Sequence, residues 1–236
     1  MKIDLHTHTI ASGHAFNTIY EMAAEAKKRG VKILGITEHG PAVLGSATNN
    51  YFSQLYRLPR KILGVKMLFG AELNILNKKG EVDLPEWLLQ RCDYLSAGLH
   101  QTTSYEGKSE KENTQAMLAA MANPQINTLN HIYRIVFPVN IEKVAQTACD
   151  QGKLLEISIA VFSKKKIPDE VVERISRMIK VVKQNKQKIL LGSDAHIATE
   201  IGEDKGFNKY KKKLGLTAKD IANNDIKYLR KFVKNI

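Results

Sequence analysis

The stretch "DLHTHT", residues 4–9, sets two histidines one residue apart near the start of the chain. An extended segment points alternate side chains to one face, so His6 and His8 share a face with Asp4, while Ile3 and Leu5 take the other. Two imidazoles side by side can share a metal ion, and they can equally be incidental. The motif alone does not decide between these readings, so the positions of the other histidines must.

Outward from this stretch, short β-branched apolar runs alternate with longer helical patterns. The strand-like runs are "KIDL" (2–5), "VKILGIT" (31–37), "VKMLFGA" (65–71), "CDYLSAGL" (92–99), "INTLN" (126–130), "KLLEISI" (153–159) and "KILLGS" (188–193). Helices are expected over "TIYEMAAEAKKRG" (18–30), "YFSQLYRLPRKIL" (51–63), "SEKENTQAMLAAMANP" (109–124), "NIEKVAQTACDQG" (140–152) and "PDEVVERISRMIKVVKQN" (168–185), with further short helices from about 197 onward. Strands separated by helices make parallel βαβ units, and seven such strands suit an α/β barrel better than an open sheet. No low-complexity linker or internal repeat interrupts the series, so one domain over 1–236 is expected.

The chain has seven histidines, at 6, 8, 14, 39, 100, 131 and 196. His6, His8, His39, His100, His131 and His196 sit at, or within three residues after, the end of a strand candidate; His14 follows in the loop after the first strand. A parallel barrel gathers the C-terminal ends of its strands on one face, where such folds build their active sites. Two acids join the histidines there, Glu72 in "FGAE" and Asp194 in "GSDAH", leaving the sixth strand as the exception. Imidazole with carboxylate and no thiolate suits zinc, manganese or iron in an open site rather than a sealed structural one. The candidates exceed the four or so donors that one tetrahedral ion needs, which implies two or three ions. Closely spaced ions clamp the attacking and leaving oxygens of a phosphoryl group, so phosphate ester hydrolysis is the chemistry this set suits.

Composition bounds the alternatives. A 236-residue chain with 43% hydrophobic residues can bury a sizeable core. No apolar run approaches the roughly 18 residues of a membrane span, and an opening of "MKIDLHTHT" leaves no room for a signal peptide; a soluble cytoplasmic protein is expected. Cys92 and Cys149 are far apart among apolar residues and read as free buried thiols. The net charge of +12, with basic clusters at "SKKKIP" (163–168) and "KYKKK" (209–213), favours anionic partners, either a small phosphorylated metabolite or nucleic acid.

In this order, "DLHTHT", "GITEHG", "FGAE", "GLH", "NH" and "GSDAH" resemble the motifs of the PHP (polymerase and histidinol phosphatase) superfamily, and "SGHAFNTIYEM" (12–22) with "NTQAMLAAM" (113–121) look most like its YcdX-type phosphatase branch. The resemblance runs from residue 3 to about 205. It implies a distorted (β/α)7 barrel, similar to a TIM barrel, with a trinuclear centre at the C-terminal ends of the strands, usually zinc. Carried over by position, it implies that His6, His8, Glu72 and Asp194 hold one ion and that Glu72 bridges to a second bound by His100 and His131. His14, His39 and His196 would hold the third. It further implies a small phosphorylated substrate, a phosphatase acting on monoesters, and a homo-oligomer.

Departures from the family pattern bear on the finer roles. Glu38 stands before His39 where the family commonly has Asp, and its longer arm suits either a residue behind the ligands or a proton donor, so Glu38 and Asp194 are the catalytic candidates. After His131 the chain reads "HIYR" instead of Pro-Gly, which offers Arg134 as a phosphate contact; Arg57 and Arg60 in "LYRLPR" are further substrate-binding candidates. The sixth strand ends "EISIAV", which predicts an apolar floor beside the substrate.

Three other functions compete with the phosphatase. A phosphodiesterase or exonuclease would use the same metals but needs a basic, aromatic groove for a strand, which the sequence does not offer. An amidohydrolase-like enzyme would use a carbamylated lysine on the fourth strand, and "CDYLSAGLH" has none. A non-catalytic scaffold would have no need of open ligand positions.

Overall fold

The computed structural model describes residues 1–101, 103–105, 108–163 and 166–236. Seven parallel strands form one sheet: β1 (Ile3–Asp4), β2 (Ile33–His39), β4 (Val65–Asn74), β5 (Tyr94–Gly98), β6 (Thr128–Leu129), β7 (Leu154–Ser158) and β8 (Leu190–Gly192) pair in that order. All seven expected strands are present, several of them shorter than their apolar runs. Helices α1 (Ile19–Lys28), α2 (Asn49–Ser53), α3 (Glu86–Leu89), α4 (Glu110–Met121), α5 (Ile141–Asp150), α6 (Asp169–Gln184), α7 (Lys205–Lys211) and α8 (Ile226–Leu229) lie between and after the strands. Two of the expected helices begin with reciprocal capping boxes, Thr18 with Glu21 and Ser109 with Glu112, each satisfying amide donors that a helix start leaves unpaired.

One expected helix is partly overturned. The run 51–63 is helical only in short turns up to Arg57, and Lys61–Ile62 forms a strand, β3, antiparallel to β4. Pro59 ends the helical pattern, and Leu63 (φ 51°) and Gly64 (φ 90°) supply the two consecutive positive φ angles of a tight hairpin turn.

The sheet curls until its ends meet. Thr7 bridges Ala195 in parallel register, the Asp194 amide donates to the His6 carbonyl at 2.9 Å, and the Ser193 amide donates to the Asp4 carboxylate at 3.0 Å. Below these bonds Asn223, from the C-terminal segment, takes the place of a missing ladder. Its amide nitrogen donates to the carbonyls of Ile3 (2.9 Å) and Leu191 (2.7 Å), and its oxygen accepts from the Leu191 amide at 2.8 Å.

Strand alternation divides the interior into two levels. One face of the sheet, with Leu34, Met67, Phe69, Leu95, Leu155 and Leu191, packs beneath the surrounding helices. Residues of opposite parity face inward: Ile33, Leu68, Tyr94, Leu154 and Leu190 form an apolar plug that Leu229, Val233 and Ile236 close from below. Two to six residues further along the same strands, the same inward parity carries His39, Glu72, Ser96, Glu156 and Ser158, all buried. The barrel is therefore greasy at its N-terminal end and polar at its C-terminal end.

Replacing Asn223 by alanine leaves three buried backbone groups unpaired along the seam and is expected to cost about 2–4 kcal/mol. A urea midpoint unchanged in N223A would show that the C-terminal segment does not hold the seam.

Candidate metal centre

The ligand candidates are delivered by six strand ends. His6 and His8 follow β1, His39 ends β2, and Glu72 lies near the end of β4. His100, His131 and Asp194 each lie two residues beyond β5, β6 and β8, and His196 follows. The cluster grades outward: His6, His8, His39, Glu72, His100 and His131 are buried, Asp194 and His196 half-buried, and His14 exposed. His131 (φ 35°) and Asp194 (φ 57°) adopt the left-handed conformation that costs a non-glycine residue energy, and strain of this kind gathers at functional sites. Gly98 makes room for the cluster, since a Cβ there would lie 2.8 Å from His131 Cε1 and 3.1 Å from His100 Cε1.

Four donor atoms bound to zinc at about 2.0–2.1 Å in a tetrahedron lie about 3.3–3.4 Å from one another. Five of the six separations among His6 Nε2, His8 Nε2, Glu72 Oε2 and Asp194 Oδ1 lie close to that value, and all four atoms converge within 4.8 Å of one another. The separations are 3.1 Å between the histidines, 3.2 and 3.4 Å from them to Glu72, and 3.5 and 3.4 Å from them to Asp194. The other Glu72 oxygen, Oε1, turns away to His100 Nε2 (3.1 Å) and His131 Nε2 (3.0 Å). One carboxylate thus spans two groups of imidazoles. At the rim His14 Nε2 and His196 Nε2 are 2.9 Å apart, and donor atoms of His8, His39 and His196 converge closely enough to hold an ion. His39 also joins Glu72 and His100 in a convergent group, so it stands between the sets that the resemblance kept apart.

A layer behind these residues fixes which nitrogen is free. Glu156 Oε1 accepts from His6 Nδ1 at 2.7 Å, leaving Nε2 for a metal. Backbone carbonyls do the same for the rim: Ser12 O accepts from His14 Nδ1 and Asp194 O from His196 Nδ1, both at 2.9 Å. Ser12 donates its hydroxyl proton to Glu38 Oε2, so toward His8 Nδ1, 3.0 Å away, it can only accept. Asn130 donates to Glu72 Oε1 at 2.8 Å and to Ser96 at 2.9 Å.

Opposing effects of burial and neighbouring charge set the ionisation of the centre. Burial works against ionising Glu72, yet His6, His100 and His39 outweigh it and hold the carboxyl well below its usual range. Asp194 is likewise held low against burial, by His6 and His8. Burial alone would depress His8, but Asp194 and Glu72 raise it to about 9. Burial, then Arg134, push His131 down to about 3.

The catalytic and substrate candidates separate on inspection. Asp194 lies in the cluster. Glu38 does not face it: the carboxylate is fully buried behind His8 and accepts from the Thr9 amide and hydroxyl, from Ser12 and from Tyr51. It acts on the cluster only through Ser12, which corrects its assignment as a catalytic candidate; the extra methylene carries the carboxylate to these donors. Arg134 reaches the site, with Nη2 3.6 Å from Asp194 Oδ2. Arg60 does not, because it pairs with Asp93 immediately before β5, at the opposite end of the barrel. Arg57 sits on an exposed turn leading down to that end and makes no contact with the cluster. Of the basic run at 163–168, Lys164 and Lys165 lie outside the described residues. Cys92 and Cys149 are free and buried, as expected.

The sequence reading passed over Glu156, because the sixth strand run seemed to bring no polar group to the face. The signal was a lone acid inside "LLEIS", a run buried on both sides, where only a partnered carboxylate is tolerable. Gly192 on β8 accommodates it, since a Cβ there would collide with Glu156 Oε1 and lie 2.7 Å from His6 Cβ.

A parallel barrel with a carboxylate-bridged imidazole cluster at its C-terminal strand ends defines a metal-binding α/β barrel. The chain belongs to the PHP domain family, whose model matches residues 4–189. It is 37% identical over 234 residues to a probable phosphatase of Thermoanaerobacter sp. (strain X514), covering 99% of this chain and 95% of that one. A probable phosphatase of Clostridium botulinum (strain Hall) is 36% identical over 233 residues, covering 99% and 94%. Among solved structures, the histidinol phosphate phosphatase of Lactococcus lactis, complexed with zinc, L-histidinol and phosphate, superposes with a TM-score of 0.66 at 19% identity, covering 92% of this chain and 94% of that one. That likeness bears out the barrel.

Glu156→Gln keeps the volume but weakens the partner of His6, and is expected to lower metal affinity about 10- to 100-fold in a chelator competition. Unchanged affinity would separate Glu156 from the centre. Arg60→Ala, by contrast, is expected to leave kcat/KM within about twofold, because single surface changes remote from a site are nearly neutral.

Proposed function

We propose that this chain is a metal-dependent phosphatase that hydrolyses phosphate monoesters of small molecules, using a centre of three ions. The observation that carries the reading is the division of Glu72, with one oxygen among His6, His8 and Asp194 and the other between His100 and His131. The donor set fits zinc, with manganese or iron as alternatives, because all donors are imidazole nitrogens or carboxylate oxygens and the inner four have tetrahedral spacing. His6, His8, Glu72 and Asp194 would hold one ion, Glu72 with His100 and His131 the second, and His14, His39 and His196 the third, with His39 close enough to serve either neighbour. When bound, such ions polarise a phosphoryl group and acidify water.

The protein's own groups complete the site. Arg134 offers a planar guanidinium at the edge of the cluster, where it suits two oxygens of a phosphate. Ser158 donates to Asp194 Oδ2 at 3.1 Å and so leaves Oδ1 to the histidines. Glu38 and Glu156 hold Ser12 and His6 in orientation without touching a substrate. The names of the two relatives and the zinc, histidinol and phosphate in the solved neighbour support the reading. No described helix is long and apolar enough to cross a membrane. The same reading takes 1–236 as one catalytic unit working in the cytoplasm, with two buried free thiols in support.

Assays on a chromogenic phosphomonoester, a bis-aryl phosphodiester and single-stranded DNA, with and without chelator, test the proposal. Monoester hydrolysis is expected to dominate and to vanish on metal removal, and His6→Ala is expected to lose more than the roughly hundredfold that mere loss of ligand orientation costs. Faster diester or DNA cleavage would favour a phosphodiesterase, the alternative to which the +12 charge points.

A further inference from the structure

Beside the metal cluster, a cavity of about 500 Å³ opens between the loops that follow β6 and β7. Its inner edge is the edge of the cluster itself, formed by Asp194 and Ser158. Arg134 stands where cavity and cluster meet, with its guanidinium toward Asp194. Gln101 and Tyr133 line part of the rest of the wall, and Ile135, Val136, Val161 and Pro168 give it an aliphatic face. Ile135 and Val136 are 44% and 41% exposed, and neither packs into the main cores. Branched aliphatics held at the mouth of a polar site cover no core, yet they offer apolar surface to whatever enters.

Charge narrows what that can be. Among the described residues lining the cavity, Arg134 and Asp194 are the charged ones. Both Asp194 oxygens are engaged, Oδ1 within 3.5 Å of His6 and 3.4 Å of His8, and Oδ2 with Ser158 and Arg134. Among the described residues, an ammonium or imidazolium in the cavity would face a guanidinium and find no free carboxylate. An alkyl group would cover Ile135 and Val136 and shed water from both surfaces.

From this geometry we infer that the cavity is the leaving-group subsite, and that the substrates are phosphate monoesters of uncharged, predominantly apolar alcohols. The inference rests on the phosphomonoesterase reading above and adds the substrate class to it. In the reaction, water attacks phosphorus, the ester P–O bond breaks, and the departing oxygen takes up a proton that water gives up, yielding the alcohol and inorganic phosphate. Arg134 holds the phosphate at the boundary while the carbon chain lies along Ile135 and Val136. The solved neighbour carries histidinol, an amino alcohol; this cavity predicts a different preference.

The test uses the metal-loaded protein and two comparisons. In a series of straight-chain alkyl phosphates, kcat/KM is expected to rise about two- to fourfold per added methylene until the cavity is filled, the size of the gain from burying a CH2 group. In the isosteric pair n-butyl phosphate and 3-aminopropyl phosphate, the neutral ester is expected to win at least about tenfold, as befits a cation left without a partner. The electron-withdrawing ammonium makes aminopropanol the better leaving group, so chemistry alone would favour the opposite order. Val136→Asp, at an exposed position, is expected to shrink that ratio about tenfold with metal content unchanged. A flat alkyl series or equal rates for the pair would overturn the substrate class while leaving the phosphatase intact. Metal-loaded protein that hydrolyses none of these esters, nor a chromogenic one, would remove the phosphatase reading and this inference with it.

Discussion

Glu72 is a carboxylate almost completely removed from water, and its ionisation is the condition on which the rest of the centre stands. A buried anion of this kind is tolerable only when partnered. Here the partners are His6, His8 and His39 at one oxygen and His100 and His131 at the other. These histidines come from four separate strand ends, so the sheet must curl with the right register before all of them can meet Glu72, and closure brings Asp194 to the same group. Closure in turn depends on bonds between the two ends of the sheet, from Asp4 to Ser193 and from Asn223 to both edges.

The two-level interior lets one fold carry both demands. Inward-facing residues near the start of each strand are large and apolar, and together with the C-terminal segment they make the lower half a packed core. A few residues on, the same inward parity becomes imidazole and carboxylate. Stability is thus concentrated at one end and reactive groups at the other, and the polar layer rests on a rigid base. Glu156, Ser12 and the carbonyls of Ser12 and Asp194 then remove the remaining freedom of the rings, each leaving an Nε2 directed at the cluster.

The strands and the cluster were legible because both obey short-range rules. A parallel strand buried on both faces must be a β-branched apolar run, and a barrel sends every strand end to one side, so histidines at those ends had to converge. What was not legible depended on three-dimensional direction. For Glu38 the sequence left two readings open, behind the ligands or as a proton donor, and because adjacent residues of a strand point to opposite faces its carboxylate took the first, behind His8. Arg60 looked close to the metal face until the Leu63–Gly64 hairpin carried it to the other end of the barrel. Glu156 was hidden in a run that read as uniformly apolar, although an acid in such a place must have a partner.

The claim that Glu72 joins two metal sites has a direct measurement. Metal content per chain should be determined by elemental analysis for the native protein and for Glu72→Gln, both loaded to saturation and desalted. The account predicts two or three ions in the native protein and the loss of more than one from the variant, because both oxygens are affected at once. A native protein with fewer than two ions, or a variant that keeps the full load, would contradict it.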